Sequence, residues 1–337
     1  MSTIKKMIPV WIKAPIAFFL REVGKLPFHL TLSHMYYSFT QNSNCSSETK
    51  TSACRKIQQK NYAYLTKRYK RIAVEAASGY SSGERPNPAP IWVFWWQGAH
   101  AAPEIVKRCI VSVCRNANAH PVHIIDKSNY QDFVEVPEHL LKRLEKGTIS
   151  LTHFSDYFRM ALLAKHGGLW IDASIYVQRP IEEFVFELPV YTIRNPGMDS
   201  LNISDWEWTV GVFGGWKDNA LFHAVEKLLD QYWKDFDFLV DYYIFDYMVR
   251  LVYDNCPAVR SEIQAIPLNN SDFYFLQNNA NCPAERHTAQ IQPECDTWLF
   301  KLSWKGVYEL KTADGKETVF AQWLKESERD TGEEHRN

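Results

Sequence analysis

An α/β domain with a mostly parallel sheet flanked by helices, preceded by a basic helical extension, is the fold class this sequence predicts. Three observations carry it. After Pro90, short compact apolar runs alternate with segments of helical period, the pattern of a parallel sheet covered by helices. Positive charge is concentrated ahead of that region: residues 1–90 hold 14 Lys/Arg against 4 Asp/Glu, while the whole chain carries a formal net charge of −1. Residues 79–90, GYSSGERPNPAP, are rich in Gly, Ser and Pro and form a linker between the two parts. The expected organisation is a basic helical extension over residues 1–87, the main domain over 88–325, and a charged tail over 326–337 expected to be disordered.

The elements follow in order. Residues 41–54, QNSNCSSETKTSAC, are polar and are expected to form a loop or a disordered stretch. Residues 55–77 place Ile57, Tyr62, Leu65, Tyr69 and Ile72 at roughly helical spacing. Ile91–Trp96 is a compact apolar run and predicts a buried strand. Pro103–Asn116 predicts a helix, Pro121–Asp126 a second strand, and Leu140–Leu144 and Thr152–Lys165 two further helices. Leu169–Val177 is expected to be one continuous third strand. Ligands of such sheets bind beyond the carboxyl ends of the strands, which directs attention to Trp95–Gly98, Asp126–Asn129 and Asp172–Ser174.

The chain has 337 residues, 46% of them hydrophobic, enough for a sizeable core. Its 12 Trp, 17 Tyr and 19 Phe serve either that core or the faces of a ligand site, and composition does not separate the two. The seven cysteines form no CxxC pair and no zinc signature, so reduced thiols in a cytoplasmic compartment are expected. The eleven histidines show no HExxH spacing. Lys5 and Lys6 precede the apolar stretch Met7–Leu20, which Pro9, Lys13 and Pro15 interrupt and which is shorter than the ~20 residues of a spanning helix. No small-x-small cleavage site follows it. Trp11, Phe18, Phe19 and Leu20 among basic residues suit either a membrane interface or a helix packed on the body. Peripheral contact of residues 1–40 with the inner face of the plasma membrane is therefore one expectation. No nucleic-acid partner is expected, because the positive charge avoids the main domain.

The most informative segment is Ser155–Ser174, SDYFRMALLAKHGGLWIDAS. Ser155 is a plausible N-cap, Phe158, Leu162 and Leu163 supply an apolar face, and Gly167 and Gly168 end the helix where positive φ is easy. A strand then delivers Asp172 to the sheet edge. Asp156 and Arg159, three apart, share a helix face. An isolated pair of this kind is ordinarily a surface ion pair. Leading through a Gly-Gly turn to a strand that ends in Asp, it fits a site for a ribose and a multi-oxygen anion, which the Arg fork suits.

This run, with IWVFWWQG upstream, resembles the DXD-containing glycosyltransferases. Within them it is similar to the capsular polysaccharide synthesis proteins and glycosyltransferase family 32. The resemblance covers about residues 88–180. It implies a GT-A-like, Rossmann-type fold and a hexosyltransferase type of activity that retains anomeric configuration. The partners implied are a nucleotide-diphosphate sugar donor and a saccharide or lipid-linked glycan acceptor, in capsular or cell-surface polysaccharide synthesis. It also implies site residues. Trp95 would stack on the base, with Gln97 and Gly98 leaving it space, and Asn129 would lie near the nucleotide. Asp156 would bond the ribose or sugar, Arg159 the donor sugar or diphosphate, and Asp172 ribose hydroxyls or metal. Gly168 matches the Gly-Gly turn. Phe300–Lys305 resembles a closing segment in which Ser303, Trp304 or Lys305 meets the diphosphate.

The motif departs from the family pattern at its third position, where Ser174 gives Asp-Ala-Ser. Asp172 and Ser174 are the expected Mn²⁺ or Mg²⁺ ligands, with metal use weakened because a hydroxyl is a poor ligand for a hard cation. Donor binding without metal, with Arg159 and Lys305 as the cations, and loss of catalysis remain open. So the alternative to an enzyme is a degenerate module that binds a nucleotide sugar or glycan without turnover. Elsewhere, Gly214 and Gly215 form either a plain turn or a close approach to ligand. Asp241 and Asp246 are either structural or acceptor-orienting carboxylates. His153 and His166 are expected to be caps or surface residues.

Overall fold

The computed structural model describes residues 23–197, 201–286 and 295–332, together with Ile16. Lys5, Lys6 and the rest of the Met7–Leu20 stretch, including Trp11, Phe18, Phe19 and Leu20, lie outside the described residues.

Strands β1 (Ile91–Phe94), β2 (Val122–Ile125), β3 (Gly168–Ile171), β5 (Val190–Thr192) and β6 (Val212–Gly215) form the central sheet in the order β2-β1-β3-β6-β5. β1 is parallel to β2 and to β3, whereas β6 is antiparallel to both β3 and β5. Four strands therefore run one way and β6 runs against them. Every residue of β1, β3 and β6 is buried, as expected of apolar runs in a sheet covered on both faces. Strand β4 (Ile175–Val177) pairs antiparallel with β7 (Leu299–Lys301) in a second, two-stranded sheet.

The expected third strand, Leu169–Val177, is thus two strands in two sheets. The Asp172 amide still donates to Gly211 O at 2.9 Å, but Ile175 N donates back to Asp172 O at 2.9 Å. That turn redirects the chain at Asp-Ala-Ser, and alternation of apolar residues does not reveal it.

Helix α1 (Phe28–Asn42) precedes the long α2 (Ser47–Ser78). The loop expected over 41–54 is therefore helical from Ser47, because Ser46 caps it by accepting from Thr49 N at 3.2 Å. Ala53, Ile57, Asn61, Leu65, Tyr69, Ala73 and Ala77, every fourth residue, form the buried stripe of α2. From Ile57 on, its apolar members join the same core as the sheet, so the basic extension packs on the main domain rather than apart from it. The linker is likewise tied down, through bridges from Ser81 to Asn219 and from Glu84 to Lys217.

The remaining helices are α3 (Glu104–Arg115), α4 (Glu138–Glu145), α5 (Leu151–His166), α6 (Phe184–Glu187), α7 (Ala220–Asp235), α8 (Ile244–Asn255), α9 (Pro257–Gln264), α10 (Phe275–Asn279) and α11 (Val319–Gly332). The last runs into the segment expected to be disordered, with Trp323 buried against Tyr176. Helix α5 is capped by Ser150, which accepts from His153 N at 3.3 Å, rather than by Ser155, which lies inside the helix. Among the described residues no helix is long and apolar enough to cross a membrane.

Gly168, expected at the ligand, lies at the start of β3, at the opposite end of the strand from Asp172. Its φ is +93°, and a Cβ there would stand 2.1 Å from Pro90 O, the acceptor of Leu169 N. Gly168→Ala should therefore lower stability by about 3 kcal/mol through strain and loss of β1–β3 pairing. Denaturant unfolding checks this; a loss of ligand binding at unchanged stability would instead return Gly168 to the site.

Candidate active site

The carboxyl ends of β1 and β3 open into a cleft of about 570 Å³. Its lining includes Trp95 and Gln97 after β1, Asp156 and Arg159 on α5, Asp172 and Ser174 after β3, and Ser303, Trp304 and Lys305 after β7. Nine of the residues expected from the sequence thus meet at one place. Gly98 follows the lining residue Gln97 without lining the cleft itself, in a turn where Trp95 O accepts from Gly98 N at 2.9 Å. Asn129 is a staple of the turn after β2: its Oδ1 accepts from Asp126 N at 2.8 Å and its Nδ2 donates to Ile124 O at 3.0 Å. It too lies outside the lining.

Arg159 is the centre of the site. Only 2% of it is exposed, and its guanidinium lies 4.9 Å from the Trp170 ring and 5.3 Å from the Phe245 ring. Nη1 donates to Val210 O at 2.6 Å and lies 3.6 Å from Asp156 Oδ1, while Nη2 donates to Asp172 Oδ1 at 3.1 Å. Both outer nitrogens of Arg159, expected at the donor, thus have protein partners, and one of them holds Asp172 in place at the cleft wall.

Asp172 has two further partners. Trp170 Nε1 donates to its Oδ1 at 2.9 Å, and Lys301 Nζ donates to its Oδ2 at 3.0 Å. Burial alone would push this carboxyl up; Lys301, Arg159 and Trp170 outweigh burial and hold it below the usual range. The sequence-based expectation names Ser303, Trp304 and Lys305 in this segment but not Lys301, which lines the cleft beside them. A signal existed, because Lys301, Ser303 and Lys305 alternate with buried Phe300 and Leu302 on one side of an extended run. Trp170, two residues before Asp172, was legible by the same rule.

The closing segment is pinned from several directions. Leu302 N donates to Ser174 O at 2.9 Å, which ties it to the Asp-Ala-Ser turn. Buried Asn270 accepts from both Trp298 N and Leu299 N at 2.9 Å. The Tyr308 hydroxyl accepts from Ser303 N at 2.8 Å and donates to Ser303 O at 2.9 Å. This sets Trp304 edge-on to Trp95, with ring centroids 5.7 Å apart, and Lys305 Nζ lies 4.8 Å from the Trp304 ring. On another wall, Asp205 and Trp206 both have positive φ, +50° and +57°. A bulky residue there is strained, and Trp206 is held edge-on to Tyr274 at 5.6 Å.

Two more carboxyls line the cleft and behave oppositely to Asp172. Burial pushes Asp156 up to about 6 against the pull of Arg159 and His153. Burial pushes Asp246 up to about 7, although Trp208 Nε1 donates to its Oδ1 at 2.9 Å. His153, expected at a cap or on the surface, is buried and bonds Ser150 Oγ and Tyr242 O. Gly214 and Gly215 lie within β6, away from the cleft, and Asp241 bonds Asn61 and Tyr247.

The donor set does not fit the expected Mn²⁺ or Mg²⁺. A hard cation wants several free oxygens. Asp172 offers one oxygen to Arg159 and Trp170 and the other to Lys301, and Ser174 adds a hydroxyl. Among the described residues no three His, Cys, Asp or Glu converge as a ligand group.

A mostly parallel sheet with a charged centre at its carboxyl edge, overlaid by indole rings, defines a GT-A-like α/β protein. The chain matches the family described as capsular polysaccharide synthesis protein over residues 40–322 and belongs to that family. It is also 30% identical over 102 residues to the O-glycosyltransferase braB of Annulohypoxylon truncatum, and 30% identical over 103 residues to the O-glycosyltransferase PaGT of Phomopsis amygdali. Each match covers 28% of this chain and about a quarter of the relative, 24% and 25%. No solved structure matches the chain.

The raised Asp246 gives a pH prediction. The fold favours its protonated form, so its contribution to stability is full below the ordinary carboxyl value of 3.8 and is lost as pH rises towards about 7. Asp246→Asn keeps an oxygen for Trp208 and removes this loss. Its melting temperature should match wild type near pH 4 and exceed it at pH 8; equal melting temperatures at both would show that Asp246 titrates normally.

Proposed function

We propose that this chain transfers a sugar, a hexose or similar, from a nucleoside-diphosphate donor to a saccharide or lipid-linked glycan acceptor, with retention, in building a capsule or another cell-surface polysaccharide. The observation that carries the reading is Asp172, kept ionised at the carboxyl end of β3 in a cleft walled by rings. In the reaction the bond from the anomeric carbon to the diphosphate oxygen breaks, and an acceptor hydroxyl oxygen bonds that carbon. The hydroxyl proton leaves with the nucleoside diphosphate.

In this reading Trp95 and Trp304 hold the base, Gln97 borders it, and Asp172 accepts from ribose or sugar hydroxyls. Arg159 positions Asp172, and Ser303 and Lys305 meet the diphosphate. Asp156 and Asp246 face the sugar and the acceptor hydroxyl. Trp206 and the exposed Tyr242 and Tyr243 give the acceptor flat apolar faces. The same reading has the chain work in the cytoplasm, with peripheral contact to the inner face of the plasma membrane as part of the proposal. In support, Leu32 and Tyr36 are exposed one turn apart on α1, and Lys56, Lys60, Lys67, Lys70 and Arg71 are exposed on α2.

A panel of nucleotide sugars with saccharide acceptors, scored for release of free nucleotide, tests the proposal. One donor should be turned over. Asp172→Asn and Arg159→Ala should each lower the rate by about 100-fold or more, with circular dichroism confirming that the variants fold. Ser174 motivates the second reading, a binding module, and donor binding with no release from any donor–acceptor pair would establish it.

A further inference from the structure

We propose that lysine ammonium groups, Lys301 and Lys305, neutralise the donor diphosphate in place of a divalent cation. The inference rests on the nucleotide-sugar reading of the cleft and goes beyond it.

Position three of the motif, where a second carboxylate would complete a metal site, holds Ser174. The main-chain bond from Leu302 N to Ser174 O binds that same position to the strand that carries Lys301. Position one is Asp172, and its Oδ2 already accepts from Lys301 Nζ at 3.0 Å. A cation bound to Asp172 would sit about 2–2.6 Å from that carboxylate, close beside a lysine and an arginine. Like charges at that range repel, and the partial burial of Asp172 and Lys301 leaves that repulsion only partly screened. Asp156, the cleft carboxylate on α5, faces Arg159 instead.

The positive charge that a metal would bring is thus present in the chain. Lys301 is only partly buried, so its ammonium keeps a face to the cleft. Lys305 is exposed at the mouth beside Trp304, four residues further along the same pinned segment. Three donors on a compact ammonium suit the oxygens of a diphosphate. When the donor is bound, Lys301 bridges Asp172 and the diphosphate, and Lys305 closes over the outer phosphate. On bond cleavage both stabilise the charge gathering on the departing group.

The test is equilibrium binding of UDP, GDP, ADP, CDP and TDP to the full chain, followed by calorimetry, in EDTA and again with Mn²⁺ or Mg²⁺. At least one diphosphate should bind in EDTA, with its Kd changed less than about twofold by metal. Lys301→Gln and Lys305→Gln should each weaken that diphosphate by about tenfold or more, while the matching nucleoside, which carries no phosphate, binds all three proteins alike. Lys305→Gln guards against misfolding, since Lys305 is exposed. Binding that requires added metal, or lysine variants that bind diphosphate as wild type does, would overturn the inference and leave the transferase reading standing. Failure of every nucleotide to bind under every condition would overturn both.

Discussion

A guanidinium buried among rings must be answered by negative charge and by carbonyl oxygens, and Arg159 imposes that demand on the whole carboxyl edge of the sheet. Its partners come from three separate places: Asp156 on the same helix, Asp172 after β3, and Val210 O ahead of β6. Removing one partner of such a centre would leave a buried charge uncompensated, at a cost of about 3–5 kcal/mol. The helix, the central strand and the antiparallel strand beside it are therefore locked together where the ligand must enter. Trp170 serves twice, facing the guanidinium and donating to the carboxylate that the guanidinium holds.

The C-terminal segment belongs to this centre. β7 pairs with β4, and β4 begins three residues after Asp172, so the second sheet is built outward from the site. Lys301 closes the remaining carboxylate oxygen, Asn270 fixes the strand's entry and Tyr308 fixes its exit. The Trp95–Trp304 pair is a product of this arrangement and joins residues from the first strand and the closing segment.

The cleft holds carboxyls of two kinds. Asp172 is paid for by two cations and an indole N–H, and stays ionised well into acid. Asp156 and Asp246 are buried with too little compensation and are driven towards the neutral acid. Environments that separate the titration of neighbouring carboxyls allow them to play different parts: one stays a fixed negative charge, and the others can hold or release a proton near neutrality.

Much of this was legible in the chain. The alternation of apolar runs and helical segments located β1, β2, α3 and α5, because periodicity is a local property. The Gly-Gly turn located Asp172 at a strand end for the same reason. The extended run from Phe300 to Lys305 carried Lys301 on its open side, yet nothing local says that this lysine meets a carboxylate 129 positions earlier. Nor does local pattern reveal that Leu169–Val177 breaks at Asp172, that α2 joins the main core, or that Arg159 pairs with Asp172. Those outcomes depend on hydrogen bonds and burial between distant segments, such as Asp172 N to Gly211 O and Leu302 N to Ser174 O. The sequence by itself determined the strand ends and helix that bring Trp95, Asp156, Arg159 and Asp172 to one sheet edge, because those elements are set by local pattern. Only the tertiary structure decided which charges neutralise one another, because pairing depends on distance in space and on the loss of water around each group.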